Sequence, residues 1–355
     1  MQPKYQMIAS ELRARIQTGV YKDVNMLPTE HTLMNDFQVS RQTIRNALTV
    51  LVEEGYIYKR RGSGSYIRQS VEPKTTSHRR SVAVVTTYIS DYIFPSILRE
   101  IEDVLSRSDC VPQLFATNNR ISVERSILQN LLVCNPDGII IEGTKTALPN
   151  PNLELLQQLM DKEIPMVFIN GIYPQLQDAI SVLDDNEGGG RMLVEYLVSK
   201  GHRRIGGIFK FDDIQGHGRY AGYTQGLHSC GLLPDDDLVL WYSTASYPLV
   251  FSEPVVAHVI KRWKAEGCTA IVCYNDEMTC SLLSLLDKCG ISVPEDMSLV
   301  SFDNSYLSEM SSITTLSHGN NNVGNVAAKK ILDLMDGKDA VSEKISWKIV
   351  ERDSG

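Results

Sequence analysis

Apolar positions recur over the first 68 residues with a helical period and then with a strand period. Ile8, Leu12 and Ile16 stand at i, i+4 and i+8, with Arg13 and Arg15 off the stripe, which predicts an amphipathic helix stopped at Gly19. A second helix is predicted after Leu27-Pro28-Thr29, with Thr29 as N-cap and Leu33, Met34 and Phe37 as a short apolar face before Gln38-Val39. Ser40 caps a third helix whose buried positions are Ile44, Ala47, Leu48, Leu51 and Val52, and Gly55 ends it. Residues 56–68 alternate enough for two strands about a flexible tip, Arg61-Gly62-Ser63-Gly64.

Residues 70–81 hold almost no apolar side chains and one proline, the pattern of a linker. From Val82-Ala83-Val84-Val85 onward, apolar strands and amphipathic helices alternate about every 25 to 30 residues. Strands are expected at 111–116, 137–141, 165–169, 204–209, 238–242, 269–273 and 298–302. Helices are expected near 95–107, 122–133, 153–161, 187–200, 217–230, 250–266, 275–288 and 320–336. That rhythm means parallel sheets covered by helices on both faces. Some 270 residues is long for one such sheet, so two α/β lobes facing each other across a cleft are expected. The domains are then a small head, 1–69, a linker, 70–81, and a two-lobed α/β body, 82–355.

Composition narrows the class. With 355 residues, 43% hydrophobic and 22% charged, the chain has the balance of two or three globular domains and is neither disordered nor collagenous. No apolar run reaches the roughly 18 residues of a membrane span. The N-terminus lacks a basic patch followed by an apolar core, so a cytoplasmic chain with no membrane partner is expected. Seven cysteines, odd in number and without a Cys-x-x-Cys pair, predict reduced, buried thiols and neither disulfides nor a metal site. The net charge of −8 hides an asymmetry. Residues 1–70 carry ten Lys or Arg against six Asp or Glu, whereas 82–355 carry 22 against 36. An acidic body with a basic head implies that only the head meets a polyanion.

The head has the chemistry for that meeting. Two helices joined by Gln38-Val39 match a helix-turn-helix whose second helix enters the major groove N-terminus first. Ser40, Arg41, Gln42 and Thr43 stand where free backbone N–H groups and the dipole attract phosphate, and Arg45 and Asn46 project opposite Ile44 and Leu48. Lys59-Arg60-Arg61 adds a second basic element in the place of a wing. The bland reading is a solvated helix face on a protein-interaction domain.

Tyr5-Gln6-Met7-Ile8-Ala9, Leu27-Pro28-Thr29-Glu30, Ser40-Arg41-Gln42-Thr43-Ile44-Arg45 and Gly62-Ser63-Gly64-Ser65-Tyr66 together resemble the GntR-type winged-helix signature over essentially all of residues 3–68. That resemblance implies that the recognition-helix side chains read an operator, that Glu30 caps or contacts DNA, and that the glycine tip lies in the minor groove. The implied DNA-binding set is Lys4, Tyr5, Glu30, Ser40, Arg41, Gln42, Thr43, Arg45, Arg61, Gly62, Ser63 and Gly64.

In the body, Tyr274-Asn275-Asp276-Glu277 and Ser301-Phe302-Asp303-Asn304 each follow a buried strand, at the carboxyl end where open α/β sheets collect ligand groups. Arg219, Asn275 and Asp303 offer donors and acceptors for adjacent hydroxyls, although each alone could be a cap or turn residue. Gly216-x-Gly218-x-x-x-Gly222 places its third glycine one residue late for a dinucleotide loop, and Gly188-Gly189-Gly190 lacks a phosphate-loop pattern.

Gly201-His202-Arg203-Arg204-Ile205, Arg219-Tyr220-Ala221-Gly222-Tyr223, Val293-Pro294-Glu295-Asp296-Met297-Ser298-Leu299-Val300 and Thr314-Thr315-Leu316 resemble the LacI/GalR-type effector domain, a periplasmic-binding-protein-like fold, over about residues 82–350. A GntR-type head on such a body is similar to the arabinose-responsive repressors. Tyr88-Ile89-Ser90-Asp91-Tyr92, Ile141-Glu142-Gly143-Thr144-Lys145 and Lys210-Phe211-Asp212-Asp213 resemble that subgroup closely. The resemblance implies a homodimeric repressor on a palindromic operator, released by a bound monosaccharide, L-arabinose first, with no cofactor and no metal.

An aldopentose presents hydroxyls on its edges and weakly apolar C–H faces, so its pocket wants charged side chains around the ring and an aromatic against a face. Tyr92, Phe94, Trp241 and Tyr242 are available for the face, with Trp241 equally readable as core. Glu142, Lys145, Asn170, Arg219, Asn275, Asp303 and His318 are the polar candidates. A regulator of this architecture answering another effector stays open, as does a sugar-active protein. Against an enzyme, no Ser-His-Asp order, His-Glu-x-x-His, phosphate loop or Cys/His metal spacing is present. A transport binding protein would need a signal peptide and no basic head.

Overall fold

The computed structural model describes residues 4–17, 20–21, 26–60, 64–67, 79–176, 178–319 and 322–355. The chain divides into two units, Met1–His78 and Arg79–Gly355. In the head, α1 (Lys4–Gln17), α2 (Glu30–Phe37) and α3 (Arg41–Glu53) precede an antiparallel hairpin of β1 (Ile57–Arg60) and β2 (Gly64–Ile67). Ile8, Leu12, Leu33, Ile44, Leu48, Leu51 and Ile57 converge in one core. Val52, expected inside, is 36% exposed. It stands one position past Leu51, off the stripe that Ile44, Leu48 and Leu51 hold, and Val50 is the half-buried side chain instead. The expected stop at Gly19 lies outside the described residues.

The second unit opens with Arg79 and Arg80, which pair with Asp109 at 2.9 Å and Asp336 at 2.6 Å. Ser81 is already the first residue of a strand. The last three residues assigned to the linker therefore belong to the body, while residues 70–78 lie outside the description.

The body runs β3 (Ser81–Thr86), α4 (Phe94–Arg107), β4 (Val111–Ala116), α5 (Ile121–Cys134), β5 (Gly138–Ile141), α6 (Leu153–Asp161), β6 (Met166–Ile169), β7 (Ser181–Asp184) and α7 (Asn186–Ser199). It continues through β8 (Ile205–Lys210), α8 (Ile214–Ser229), β9 (Val239–Tyr242), α9 (Tyr247–Val250), α10 (Glu253–Ala265), β10 (Ala270–Cys273), α11 (Asp276–Lys288), β11 (Ser298–Phe302), α12 (Tyr306–Met310), β12 (Thr314–Ser317), α13 (Val323–Met335), β13 (Glu343–Ile345) and β14 (Lys348–Val350). These strands form two six-stranded sheets, ordered β13-β7-β6-β5-β3-β4 and β14-β12-β11-β10-β8-β9. All pairings are parallel except β12 with β14. Each sheet is the middle layer of its own lobe, with separate apolar clusters on its two faces. In both sheets the order reverses about the strand next to one edge, β3 or β8, and such switch points open crevices at the strands' carboxyl ends.

The chain passes between the lobes three times: from β7 into α7, from β12 toward α13, and from β13 to β14. Strands β7, β12, β13 and β14 and helix α12 escape the sequence reading. Cys110, Cys268 and Cys273 are buried as expected, whereas Cys134 is exposed and Cys230, Cys280 and Cys289 are half-buried. Cys134 ends α5, where the helix leaves the core. Among the described residues, no helix is long and apolar enough to cross a membrane.

Candidate functional site

In the head, two capped helix starts converge. Thr29 accepts from the Thr32 N–H at 3.2 Å and Ser40 accepts from the Thr43 N–H at 3.3 Å, so both residues are spent on N-caps. Gln38, in the left-handed region at φ 49, ends α2 and makes the turn. Arg41 and Arg45, one turn apart on α3, both reach the Glu30 carboxylate, at 3.0 and 3.2 Å. Their side chains remain 66% and 52% exposed. Burial pushes Glu30 up, but hydrogen bonds from the two arginines outweigh it and hold the carboxyl below its ordinary range. Gln42 donates to Asn46 Oδ1 at 3.1 Å on the same exposed face. Lys4 is exposed at the start of α1, and Tyr5 is half-buried against the head core. Gly64 opens β2 at φ 121; Arg61, Gly62 and Ser63 lie outside the described residues.

In the body, the two lobes close on a cavity of roughly 370 Å³. Tyr88, Tyr92, Phe94, Glu142 and Asn170 line it from one lobe; Lys210, Asp213, Arg219, Tyr242, Tyr274, Asn275 and Asp303 line it from the other. Most of these follow directly on a strand, which is why the switch-point geometry gathers them. Glu142 accepts from the Thr87 N–H at 2.7 Å and the Asn170 amide at 2.9 Å, and burial raises its pKa. Asn275 caps α11 by accepting from the Met278 N–H at 3.0 Å.

Arg219 is the most enclosed charge of the site, at 2% exposure. It donates to Asn186 Oδ1 at 3.0 Å, to Asp303 Oδ1 at 3.0 Å and to the Tyr274 carbonyl, and its guanidinium lies over the Phe302 ring at 4.2 Å. Burial would lower its pKa, but Asp303, Tyr274 and Asp184 outweigh that and the guanidinium stays charged. Lys210 is held likewise, 3.5 Å from Asp213, which also accepts from Tyr274 Oη at 2.8 Å. Behind Asp303, burial first and Asp303 second push the Asp276 carboxyl up to about 6.

Among the described residues, five hydrogen bonds cross the cleft. Tyr92 Oη donates to Asp303 Oδ2 at 2.7 Å and accepts from the Asp276 N–H at 3.1 Å. Asn119 donates to Thr244 Oγ1 at 2.5 Å, the Ile214 N–H to Thr146 Oγ1 at 3.1 Å, and Gln215 to Asp184 Oδ2 at 3.0 Å. Tyr92, Asn170 and Asp303 all hold positive φ, at 55, 60 and 96. Such backbone persists for a bulky tyrosine only where the surroundings over-determine it, and here it concentrates at the cleft.

Three expected residues stand elsewhere. Trp241 is on the opposite face of β9 from Tyr242, packed on Tyr220 at 4.9 Å and Phe209 at 5.8 Å, because successive strand residues point to opposite faces. Tyr242 is the member of the pair that lines the cavity. Lys145 lines an adjoining narrow space with Thr146 and Gly171, and Glu142, Lys210 and Asp213 line both it and the main cavity. His318 lines another, of roughly 530 Å³; Tyr92, Ile93, Asn170 and Asp303 line both it and the main cavity and form the wall between them. Lys210, Asp213 and Tyr274 were not among the expected ligands, though all three sit in strings already singled out for the resemblance or the strand end.

Residues 4–67 match the bacterial regulatory proteins of the gntR family, and 194–355 match the periplasmic binding protein-like domain. An arabinose metabolism transcriptional repressor of Geobacillus stearothermophilus is 36% identical over 94% of this chain and 92% of its own. Another, of Halalkalibacterium halodurans, is 34% identical over 95% and 90%. The chain belongs to the arabinose metabolism transcriptional repressor family. This repressor's fold also matches a solved transcriptional regulator CelR–cellobiose complex, with a TM-score of 0.66 at 23% identity over 90% of this chain and 92% of that one. The repressor thus joins a GntR-family head to a periplasmic binding protein-like body.

Proposed function

We propose that this repressor binds a palindromic operator as a homodimer and that a neutral aldopentose, L-arabinose first, enters the cleft and releases it. The supporting observation is the charge balance of the cavity. Its lining carries two cations, Lys210 and Arg219, against five carboxylates, Asp91, Glu142, Asp213, Glu277 and Asp303. Both cations are already paired with aspartates. A phosphorylated sugar or a uronate would meet net negative charge, whereas hydroxyls can donate to the carboxylates and stack a C–H face on Tyr242 or Tyr88.

That the similar proteins are repressors supports binding without turnover in the cleft. Sugar binding is linked to the operator because only one lobe arrangement satisfies the sugar, and a dimer transmits that arrangement to two heads at once. Titration calorimetry with pentoses, hexoses and their phosphates tests the first part; heat from a phosphorylated sugar and none from pentoses overturns it. Fluorescence anisotropy on a labelled operator at fixed salt tests the second. Tighter operator binding at saturating sugar would make the sugar a corepressor instead.

A further inference from the structure

His318 touches all three passages between the lobes. It sits on the passage from β12 toward α13. Its Nε2 lies 3.0 Å from Asp184 Oδ1 at the end of β7. Its Nδ1 lies 3.5 Å from the Ser346 carbonyl between β13 and β14, and its ring stacks on Trp347 at 3.7 Å and 23°. Rotating one lobe against the other is expected to change at least one of these separations, because His318, Asp184 and the Ser346–Trp347 pair belong to three different crossing segments.

Asp184 joins this contact set to the cleft. The carboxylate is 7% exposed; Oδ2 accepts from Gln215 at 3.0 Å and lies 3.7 Å from Arg219, which holds Asp303 and through it Tyr92. Oδ1 makes no well-directed hydrogen bond and meets His318 as an ion-pair contact alone. The strength of that contact is therefore set by whether the imidazole carries a proton. The charged groups around it are Asp184, Asp303 and Glu100, with Arg219 and Arg99 in the same surroundings and Lys348 of β14 paired beside Ser317.

We propose that His318 is a positioning residue whose imidazolium, by clamping Asp184 against the other two crossings, holds the lobes closed and couples the occupied cleft to the hinge. The inference rests on the reading of the cleft as a sugar site, and goes beyond it by making closure proton-linked. Burial lowers the His318 pKa, but Asp184 outweighs it and the net is upward in the closed arrangement. A histidine with a raised pKa in one state favours that state below its ordinary value and loses the preference as pH rises through the raised one. Closure, and with it sugar affinity, should fall as pH rises from about 6.5, the ordinary histidine value.

The test uses the full chain with L-arabinose and compares the wild type with His318→Gln, which stays neutral, and His318→Lys, which stays charged. The wild type is expected to lose sugar affinity about 3- to 10-fold between pH 6.5 and 8.5. His318→Gln should be weak and His318→Lys tight, both with flat profiles. Because closure is read as releasing the operator, His318→Lys should bind operator without sugar more weakly than His318→Gln, each with a flat pH profile. The same pH slope in the wild type and both variants overturns the proposal, as does a sloping profile in either variant. Double electron–electron resonance between spin labels on α5 and α10 provides a reading that needs no sugar: the wild type should open with pH and the two variants should not. No sugar heat with a pH-driven opening would sink the sugar reading and leave the hinge standing; an interlobe distance indifferent to pH in the wild type would sink the hinge.

Discussion

The head sets one carboxylate between two arginines and the body one arginine between two carboxylates, and the two arrangements do opposite things. Arg41 and Arg45 share Glu30 in largely open water, where an ion pair is worth at most about 1 kcal/mol and is screened by salt. Arg219 sits between Asp303 and Asp184 with 2% of its side chain exposed. There the charges have lost their hydration, and removing one partner strands another. Under the proposed DNA-reading role, a phosphate or a guanine edge would replace Glu30 at little cost, because the head pairs are solvated. The body pair is a scaffold, and a ligand must be built around it rather than displace it. What distinguishes a contact that recognises from one that positions is here its solvation, since the residue types are the same.

Asp303→Ala should break the body side of this contrast most severely, with a loss of about 3–5 kcal/mol in folding stability by denaturant titration and no measurable sugar heat. A loss under about 1 kcal/mol would mean that Arg219 is hydrated after all. Asp276 sharpens the comparison through pH. Its carboxyl is raised to about 6, so its protonated form is bound more tightly in the folded state. The associated stability is present below about 4 and is lost as pH rises through about 6, by up to about 3 kcal/mol. Asp276→Asn should flatten thermal stability across that window; an identical pH slope in both proteins would remove Asp276 as its source.

On the head side, Arg45→Ala should weaken operator binding by about 1–2 kcal/mol and relax sequence preference, with folding stability nearly untouched. Gel shifts across a set of operator variants decide it, and an unaltered preference would take Arg45 out of the groove. The smallest effect is expected for Glu30→Gln, a stability change below about 1 kcal/mol. A larger change would place the Glu30 pair in the class of the buried one.

The elements that carry most of this were legible in the chain. The head's caps at Thr29 and Ser40 and its stripe through Leu51 follow from helical period and short polar side chains, which are local. Asn275 and Asp303 could be reached because strand ends at a switch point are a property of the topology, and Arg219, inside α8, through the resemblance of Arg219-Tyr220-Ala221-Gly222-Tyr223. Trp241 and Tyr242 could not be told apart, since β9 is covered on both faces and neighbouring aromatics carry no sign of which side they take. Strands β13 and β14 are three residues each, too short for a period to show. The place of His318 depends on segments 134 and 28 residues away in sequence meeting at one point, which no local pattern encodes.

The three crossings also set an order of assembly during synthesis. The described head ends at Ile67, whereas the first lobe's sheet takes its edge strand from Glu343–Ile345 and the second from Lys348–Val350. At about 5–20 residues per second, roughly 15 to 55 s separate the two points on the ribosome. A nascent chain therefore gains its DNA-reading module well before it has either half of its sensor. A message cut short after residue 340 would yield a chain with its head whole but both sheets of its body left open at an edge.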